Sequence, residues 1–343
     1  MGRPKYERVM ATGAAASQQS AFVGEDSTYL RGVCRLHTPM EHGIVTDWAD
    51  MTALWAHTYQ QLRASEEQHP VLLTEAALNP RAHRAAAAEV FFETFGAPSL
   101  FVQLQSILSL YASGRTSGVV LDVGDGVTSA VPVFEGFALP HAIQRSDIGG
   151  RDVTRHMQLL LRKAGHVFHT SAELEVVRDI KEKLGYLALD ADREERGAAE
   201  DDDAAARYAL PDGSTITVGS ERFRAPEALF SPALLGLEYP GVHQLLATAV
   251  AKADLDVRRA LWQDVLLAGG ATLTAKFGDR LLSEVRRLAP RDAKLRIWAP
   301  PERHLSAWTG GSILAALASF ATMAISKEEY ASDGPSVVFR KTF

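Results

Sequence analysis

The run VVLDVGDGVT, Val119 to Thr128, carries apolar residues straight into Asp122 and then alternates glycine and acid through Gly124, Asp125 and Gly126. A carboxylate repels a phosphate unless a divalent cation stands between them. Mg²⁺ suits that place, because it keeps several waters and takes only one or two carboxylates besides phosphate oxygens. Gly124 and Gly126 lack a Cβ, so backbone N–H groups can approach an anion as a small nest, and Thr128 can add a hydroxyl. No lysine lies close enough for a P-loop. The same letters also make a plain hairpin turn, with Asp and Gly chosen for turn chemistry alone.

Two further stretches bear on the same chemistry. In LLAGGATL (Leu266 to Leu273) a strand ends in Gly269-Gly270, where bare backbone lets a planar base or a ribose lie close. A simple strand-to-helix turn explains the glycines equally well. In RDIKEKLGY (Arg178 to Tyr186), Lys181 and Glu182 fall together on a predicted helix. Lysine can face a phosphate and glutamate can accept from ribose hydroxyls, although such a run is commonly a solvated helix face. His37, His42, His69 and His83 show no metal-ligand spacing. Cys34 reads as a packing residue rather than a nucleophile.

These residues need a scaffold of strands and helices. Residues 8 to 31 read as a loop of small residues between two short strands, with ATGAAASQQS at its centre. A helix is predicted from Asp47 to Ala64, with Thr46 or Asp47 as N-cap. Short strands at HPVLLTEA and SLFVQL each precede a helix, one stopped by Gly96 and the other by Gly114. GVVLDV and TSAVPVFEG form a hairpin with acid and glycine at its tip. Helices are predicted at about 150–165, 171–189, 240–253, 255–262 and 275–288. The acidic stretch DADREERGAAEDDDAAAR lacks apolar periodicity and reads as an exposed loop or frayed helix end. LPDGSTI signals a second hairpin, and the run around Gly310 to Ile325 reads as a buried helix too short for a bilayer. Mixed strands and helices with strand–Gly–helix junctions define an α/β protein.

The chain has 343 residues, which suits two lobes rather than one core. Its net charge of -6 gives no electrostatic case for nucleic acid. A single cysteine forms no internal disulfide and fits a reducing compartment. The basic start MGRPKYERVM is followed by no apolar h-region, so it is no secretory signal.

Nine stretches, in order, resemble the actin family over nearly the whole chain: MEHGIVTDW, HPVLLTEAALNPR, SLYASGRTSGVVLDVGDGVT, DIGGRDVT, VRDIKEKLGYLALD, ERFRAPEALF, LLAGG, APPERH and WTGGSILA. Within the family, GRPKYERVM, EVFFETFG, FGDRLLSEVRRLAPRD and the ending RKTF are most similar to the centractin branch, with conventional actin next. The resemblance implies a two-lobed fold shared with sugar kinases and chaperone ATPases, with ATP or ADP and Mg²⁺ between the lobes. It implies a small outer subdomain over 1–37 with a mobile inserting loop at about 8 to 20. A first-lobe inner subdomain would take 38–112 plus 307–343. The second lobe would divide into an inner part, 113–148 plus 239–306, and an outer part, 149–238.

Residue by residue, Asp122 would hold Mg²⁺ through water, and Gly124, Asp125, Gly126 and Val127 would cradle phosphates. Gln105 matches the residue that positions the attacking water. Lys181 and Glu182 match residues around ribose and base, and Gly269, Gly270 and Ala271 match the turn facing the adenosine. Tyr111, Gly114, Thr116, Ile313 and Leu314 match the apolar cleft that takes partner helices or a neighbour's loop. The implied partners are other copies in a filament, dynactin subunits and, through them, dynein. The implied setting is cytoplasm and cytoskeleton, without nucleic acid and without membrane insertion.

Several positions depart from the family. Val123 and Ala268 stand where serine is usual, Ser129 where histidine is usual, and His304 where actin has lysine near the adenine. Serine cannot act as a base near neutral pH, so slow hydrolysis is expected. The family's first phosphate hairpin, with its lysine, falls before GRPK. The expectation is that this sequence is a piece of a longer one, the alternative being a protein that has given up ordinary ATP binding. Two other functions remain in play: a divergent conventional actin, and a non-polymerising scaffold on the same fold.

Overall fold

The computed structural model describes residues 1–5, 22–200 and 205–342. The loop expected to insert into a neighbour, at about 8 to 20, lies outside the described residues. At its flanks, β1 (Gly2–Pro4) pairs antiparallel with β2 (Cys34–Leu36). Part of the supposed loop is helical: α1 covers Glu25–Tyr29.

The chain then makes a tight pair, β3 (Met40–Glu41) and β4 (Ile44–Val45). His42 and Gly43 form its turn, both at positive φ (46° and 69°), the conformation that suits the twist of a two-residue hairpin. Helix α2 (Trp48–Leu62) follows, capped by Asp47, whose carboxylate accepts from the Asp50 N–H at 3.0 Å.

The first larger sheet has three strands. β5 (Val71–Glu75) runs parallel to β6 (Ser99–Leu104), and β15 (Ile325–Ser326) pairs antiparallel with the other edge of β6. β5 is therefore an edge strand among the described residues. Between β5 and β6, α3 (Arg81–Glu89) continues into a π-helical turn, Val90–Thr94, and the chain reverses at Gly96. Phe91, Phe92 and Phe95 from this segment pack with Leu100, Val102, Ile325 and Tyr330 into one core. Helix α4 (Gln105–Ala112) leaves β6 directly.

The second sheet has six strands and holds the acid-glycine hairpin. β7 (Gly118–Val123) and β8 (Thr128–Phe134) pair with Asp122 opposite Ser129 and Val123 opposite Thr128. β9 (Phe137–Ala138) and β10 (Gln144–Ser146) extend the β8 side. On the other side, β13 (Val265–Ala268) runs parallel to β7, and β14 (Ile297–Trp298) runs parallel to β13. Period-two alternation sends Val119, Leu121 and Val123 into one core and Val120 into another.

Helices α5 (Gly150–Lys163) and α6 (Ser171–Leu184) cover this sheet's neighbourhood; α6 ends sooner than expected, at Gly185. The first part of the acidic stretch, expected as an exposed loop or frayed helix end, is a helix, α7 (Ala191–Glu200); residues 201–204 lie outside the described residues. High intrinsic propensity of Ala, Glu and Arg, with ion pairs such as Glu195–Arg224, holds it without an apolar stripe. β11 (Ala206–Ala209) and β12 (Thr215–Val218) form the predicted second hairpin. Helices α8 (Glu221–Glu227), α9 (Val242–Lys252), α10 (Leu255–Gln263) and α11 (Phe277–Leu288) complete this half.

The run expected as one buried helix is two: α12 (Ser306–Ala315) and α13 (Phe320–Met323). α12 lies so close to α4 that a Cβ on Gly310 would sit 1.8 Å from the Leu108 carbonyl oxygen. Its other face is bare, leaving Trp308 72% and Ile313 45% exposed. The chain closes through α14 (Lys327–Asp333) and α15 (Val338–Lys341). No helix among the described residues is long and apolar enough to cross a membrane.

Candidate functional site

A cavity of about 440 Å³ lies between the two larger sheets. Asp122, Gly124, Asp125, Gly126 and Val127 form one wall, and Thr74, Glu75, Gln105 and Ser106 form another. Further along, Met40, Trp48, Met51, Trp55 and Leu73 make it apolar. The hairpin tip and Gln105, far apart in sequence, thus share one space, and Ser129 lines it as well.

The tip is held by backbone. Gly124 N–H donates to the Val127 carbonyl at 2.9 Å, Gly150 N–H to the Gly124 carbonyl at 2.9 Å, and Arg151 N–H to the Asp125 carbonyl at 2.7 Å. The first turn of α5 is therefore locked to the hairpin. Asp125 is partly neutralised, since Arg151 Nε donates to its carboxylate at 3.0 Å. The Asp122 carboxylate has no hydrogen-bond or ion-pair partner among the described residues. It keeps a partial opening to the cavity, and the protein packed around it pushes its pKa up to about 6. Thr128 does not serve as expected. Its side chain is buried and its hydroxyl donates to the Ile148 carbonyl at 2.8 Å, because β8 pleating turns it away from the tip.

The paired glycines divide their roles. Gly269 sits at φ 83°, and a Cβ there would fall 2.3 Å from the Val123 carbonyl oxygen and 2.5 Å from Asp122 Oδ1. Its bareness serves packing of the two strands, not a ligand. A Cβ on Gly270 would meet nothing within 4 Å, so the open backbone is there. Lys181 reaches the hairpin: its Nζ donates to the Gly150 carbonyl at 3.0 Å, and burial pulls its pKa down. Ala271 approaches Gly150 from the same side. Glu182 does not converge with them; its exposed carboxylate lies 3.9 Å from Arg178. His304 is exposed at the end of the segment whose Arg303 carbonyl accepts from the Gly269 N–H at 3.2 Å. Gln105 Nε2 is 3.4 Å from the Thr74 hydroxyl, at the N-terminus of α4.

Sequence reasoning missed two arginines and underrated two histidines. Arg145 donates to the His42 carbonyl at 2.6 Å and to the Ala77 carbonyl at 2.9 Å, tying both walls together. Arg151, following two glycines at a helix start, was the legible one of the pair. His42 Nδ1 lies 2.9 Å from the Gly126 carbonyl, so the β3–β4 turn touches the hairpin tip. His37, set aside on spacing, meets Asp47 and Asp50 with ligand-type atoms within 4.8 Å of one another. Folding rather than spacing brings them together.

The expected partner cleft is only partly a surface. Tyr111, Gly114, Thr116 and Ile313 are open to some degree, but Leu314 is 4% exposed and packs with Phe101, Leu108 and Phe320. Adjacent residues on α12 point about 100° apart, and here Leu314 turns into the core while Ile313 stays at the surface. Trp308 and Leu317 are the exposed large residues nearby.

With this arrangement in view, the match to known proteins is specific. Residues 1–343 match the actin family. The chain is 53% identical over 346 aligned residues to an "Actin-like protein" of Neurospora crassa, an alignment covering 99% of this chain and 90% of that one. The chain belongs to the actin family.

Proposed function

We propose that this protein is an ATP-binding subunit of a short actin-like filament, of the centractin type, acting in the dynactin complex in support of microtubule motor transport in the cytoplasm. The observation that carries the nucleotide reading is Asp122: a carboxylate without a partner, set at a cavity edge, with its charged form disfavoured by burial. Such a group fits a site completed by a divalent cation. Mg²⁺ with ATP, or ADP, would supply the opposite charge and bridge the two lobes.

The chain's own residues would do the rest. Asp122 would hold the hydrated cation. Backbone of Gly124 to Val127 would orient phosphate oxygens, with Arg151 keeping Asp125 from repelling them. Lys181 would add positive charge beside the Gly150 carbonyl, and Gly270 with Ala271 and His304 would flank the adenosine. Gln105 would hold a water, and Ser129 would leave that water without a base, so turnover is slow. The nucleotide then acts as a latch that favours the closed, assembling shape more than as fuel.

Mg²⁺-dependent binding of a fluorescent ATP analogue tests this: Asp122→Asn weakens it at least about tenfold, a loss of about 1.4 kcal/mol. Equal binding with and without Mg²⁺ would remove the reading. The filament part is tested separately, by ATP-dependent assembly into short filaments and co-purification with dynactin subunits.

A further inference from the structure

The second sheet ends on one side at β14. That strand pairs with β13 alone among the described residues. The parallel ladder fixes which backbone groups are used. Val265 N–H donates to the Arg296 carbonyl at 3.1 Å, and Arg296 N–H donates to the Trp262 carbonyl at 3.3 Å. With Val265 opposite Ile297, alternation turns the N–H and C=O groups of Arg296 and Trp298 toward β13, and those of Leu295 and Ile297 away from it. The outward groups make a short row along which a further strand can add.

The approach to this edge is strongly basic. From Arg286 to Arg296 the chain carries Arg286, Arg287, Arg291, Lys294 and Arg296 against Asp292 alone, in a protein of net charge -6. Arg286 and Arg287 stand in the last turn of α11, where the helix dipole favours cations, and Arg287 reaches Glu284 at 3.1 Å. Arg291, Lys294 and Arg296 lie beyond the helix. They are exposed and have no carboxylate partner among the described residues.

Burial alternates from Asp292 to Ile297 and sorts the side chains. Ala293, Leu295 and Ile297 pack against the core that holds Val265 and Leu267, while Trp298 packs against the one that holds Val120 and Leu266. Lys294 and Arg296 therefore share the Trp298 side. Arg115, tied to Asp264 at 3.2 Å, stands there too, its guanidinium carbon 3.8 Å from the centre of the Trp298 ring. The Arg296 guanidinium carbon lies 5.2 Å from the same ring. A strand added along β14 meets cations on one of its faces.

We propose that the β14 edge is a docking site for an extended acidic peptide, which adds as a strand and sets alternate carboxylates against Lys294 and Arg296. Backbone pairing supplies affinity, and charge-assisted hydrogen bonds from the two cations select acid at every second position. Cations on an edge strand also guard it against pairing. That guard works between like edges: a second copy would bring these cations against one another, whereas an acidic strand neutralises them. A nucleic acid strand is a poorer match. The Trp298 ring carries Arg115 in place of a base, and Asp292 interrupts the cations. The edge lies at the start of β14, whereas Asp122 lies at the far end of β7, which runs the same way as β13. Peptide docking is therefore independent of the nucleotide reading.

Fluorescence anisotropy of a short labelled peptide alternating Glu and Thr tests this on the whole chain. Lys294→Glu with Arg296→Glu weakens binding at least about tenfold. Arg162→Glu with Lys163→Glu, the same charge change on exposed residues of α5, leaves it unchanged. Two further versions of the peptide, N-methylated on every Glu or on every Thr, separate strand pairing from plain charge attraction. Both keep the charge, but only one has its methyl groups on the pairing side. That one binds at least about tenfold more weakly, and the other binds as the parent does. Equal binding of the two methylated peptides to the wild type would overturn the proposal. So would undiminished binding to the Lys294→Glu, Arg296→Glu chain, or no binding to the wild type at millimolar peptide. A single-stranded oligonucleotide or phosphatidylserine vesicles that bind where the peptide does not, and are lost on the same reversal, would give the edge to another anion and overturn it as well.

Discussion

The two larger sheets face the same cavity with different degrees of support. β7 lies between β8 and β13, and its apolar residues are fully buried in two cores. β5 pairs with β6 alone among the described residues, and Val71 to Thr74 are half-buried. One wall is therefore flanked by strands on both edges of β7, and the other ends, among the described residues, in an edge strand with one row of unpaired N–H and C=O groups. Chemistry that needs fixed geometry belongs on the β7 wall, where Asp122 and the glycine tip are found.

The sharpest test of that rigidity sits where β13 meets β7. Gly269→Ala puts a Cβ against the Val123 carbonyl and Asp122 at a left-handed φ, and costs about 4 kcal/mol or prevents folding. Gly270→Ala, one residue on, meets open space and changes stability by less than about 1 kcal/mol. Urea melts of the pair decide it. Equal losses would mean that the junction of β13 with β7 is not rigid.

Much of this wall was legible beforehand because its signals are local. A short apolar run ending in acid and glycine specifies the β7–β8 hairpin, and the strand before Gly269 reads the same way. What the sequence withheld depends on folding. Thr128 looked available until strand pleating turned its hydroxyl to Ile148. Leu314 looked like surface because one helix stripe cannot be told from its neighbour without knowing what α12 packs against. His37 and Asp50 have unremarkable spacing; β2 and α2 bring them together. The α7 helix was read only as a loop or a frayed helix end because its stability comes from propensity and ion pairs, which leave no apolar rhythm. The family resemblance supplied roles for Gln105 and Ala271 that no spacing argument could give, and the structure brings both of them, with Lys181, close to the hairpin or its cavity.

The next test compares the two walls by a single deletion. Leu121→Ala removes a fully buried side chain from the β7 core and costs about 3 kcal/mol. Leu73→Ala removes a half-buried one beside the cavity and costs about 1 kcal/mol, since that site is already partly open. A Leu73 loss equal to the Leu121 loss would show that β5 is as well covered as β7.

The smallest effect is the most informative about function. With its pKa raised from 3.8 to about 6, Asp122 binds its proton more tightly in the folded protein than in the unfolded chain. Stability therefore falls as pH rises through that interval, and the full cost is present above about pH 6. Asn carries no charge and avoids the cost. Asp122→Asn should be more stable than the wild type by about 1–3 kcal/mol near pH 7.5 and equal to it near pH 4, in nucleotide-free buffer with a chelator. Urea midpoints at the two pH values check the sign. Added Mg²⁺ with ATP should narrow the difference at pH 7.5 by stabilising the wild type alone. A variant that is more stable yet cannot bind would mean that the rigid wall spends stability to hold an unpaired carboxylate ready for its cation. A variant less stable than the wild type at neutral pH would mean that Asp122 has a partner within the fold, and the case for a cation at the hairpin would lose its strongest support.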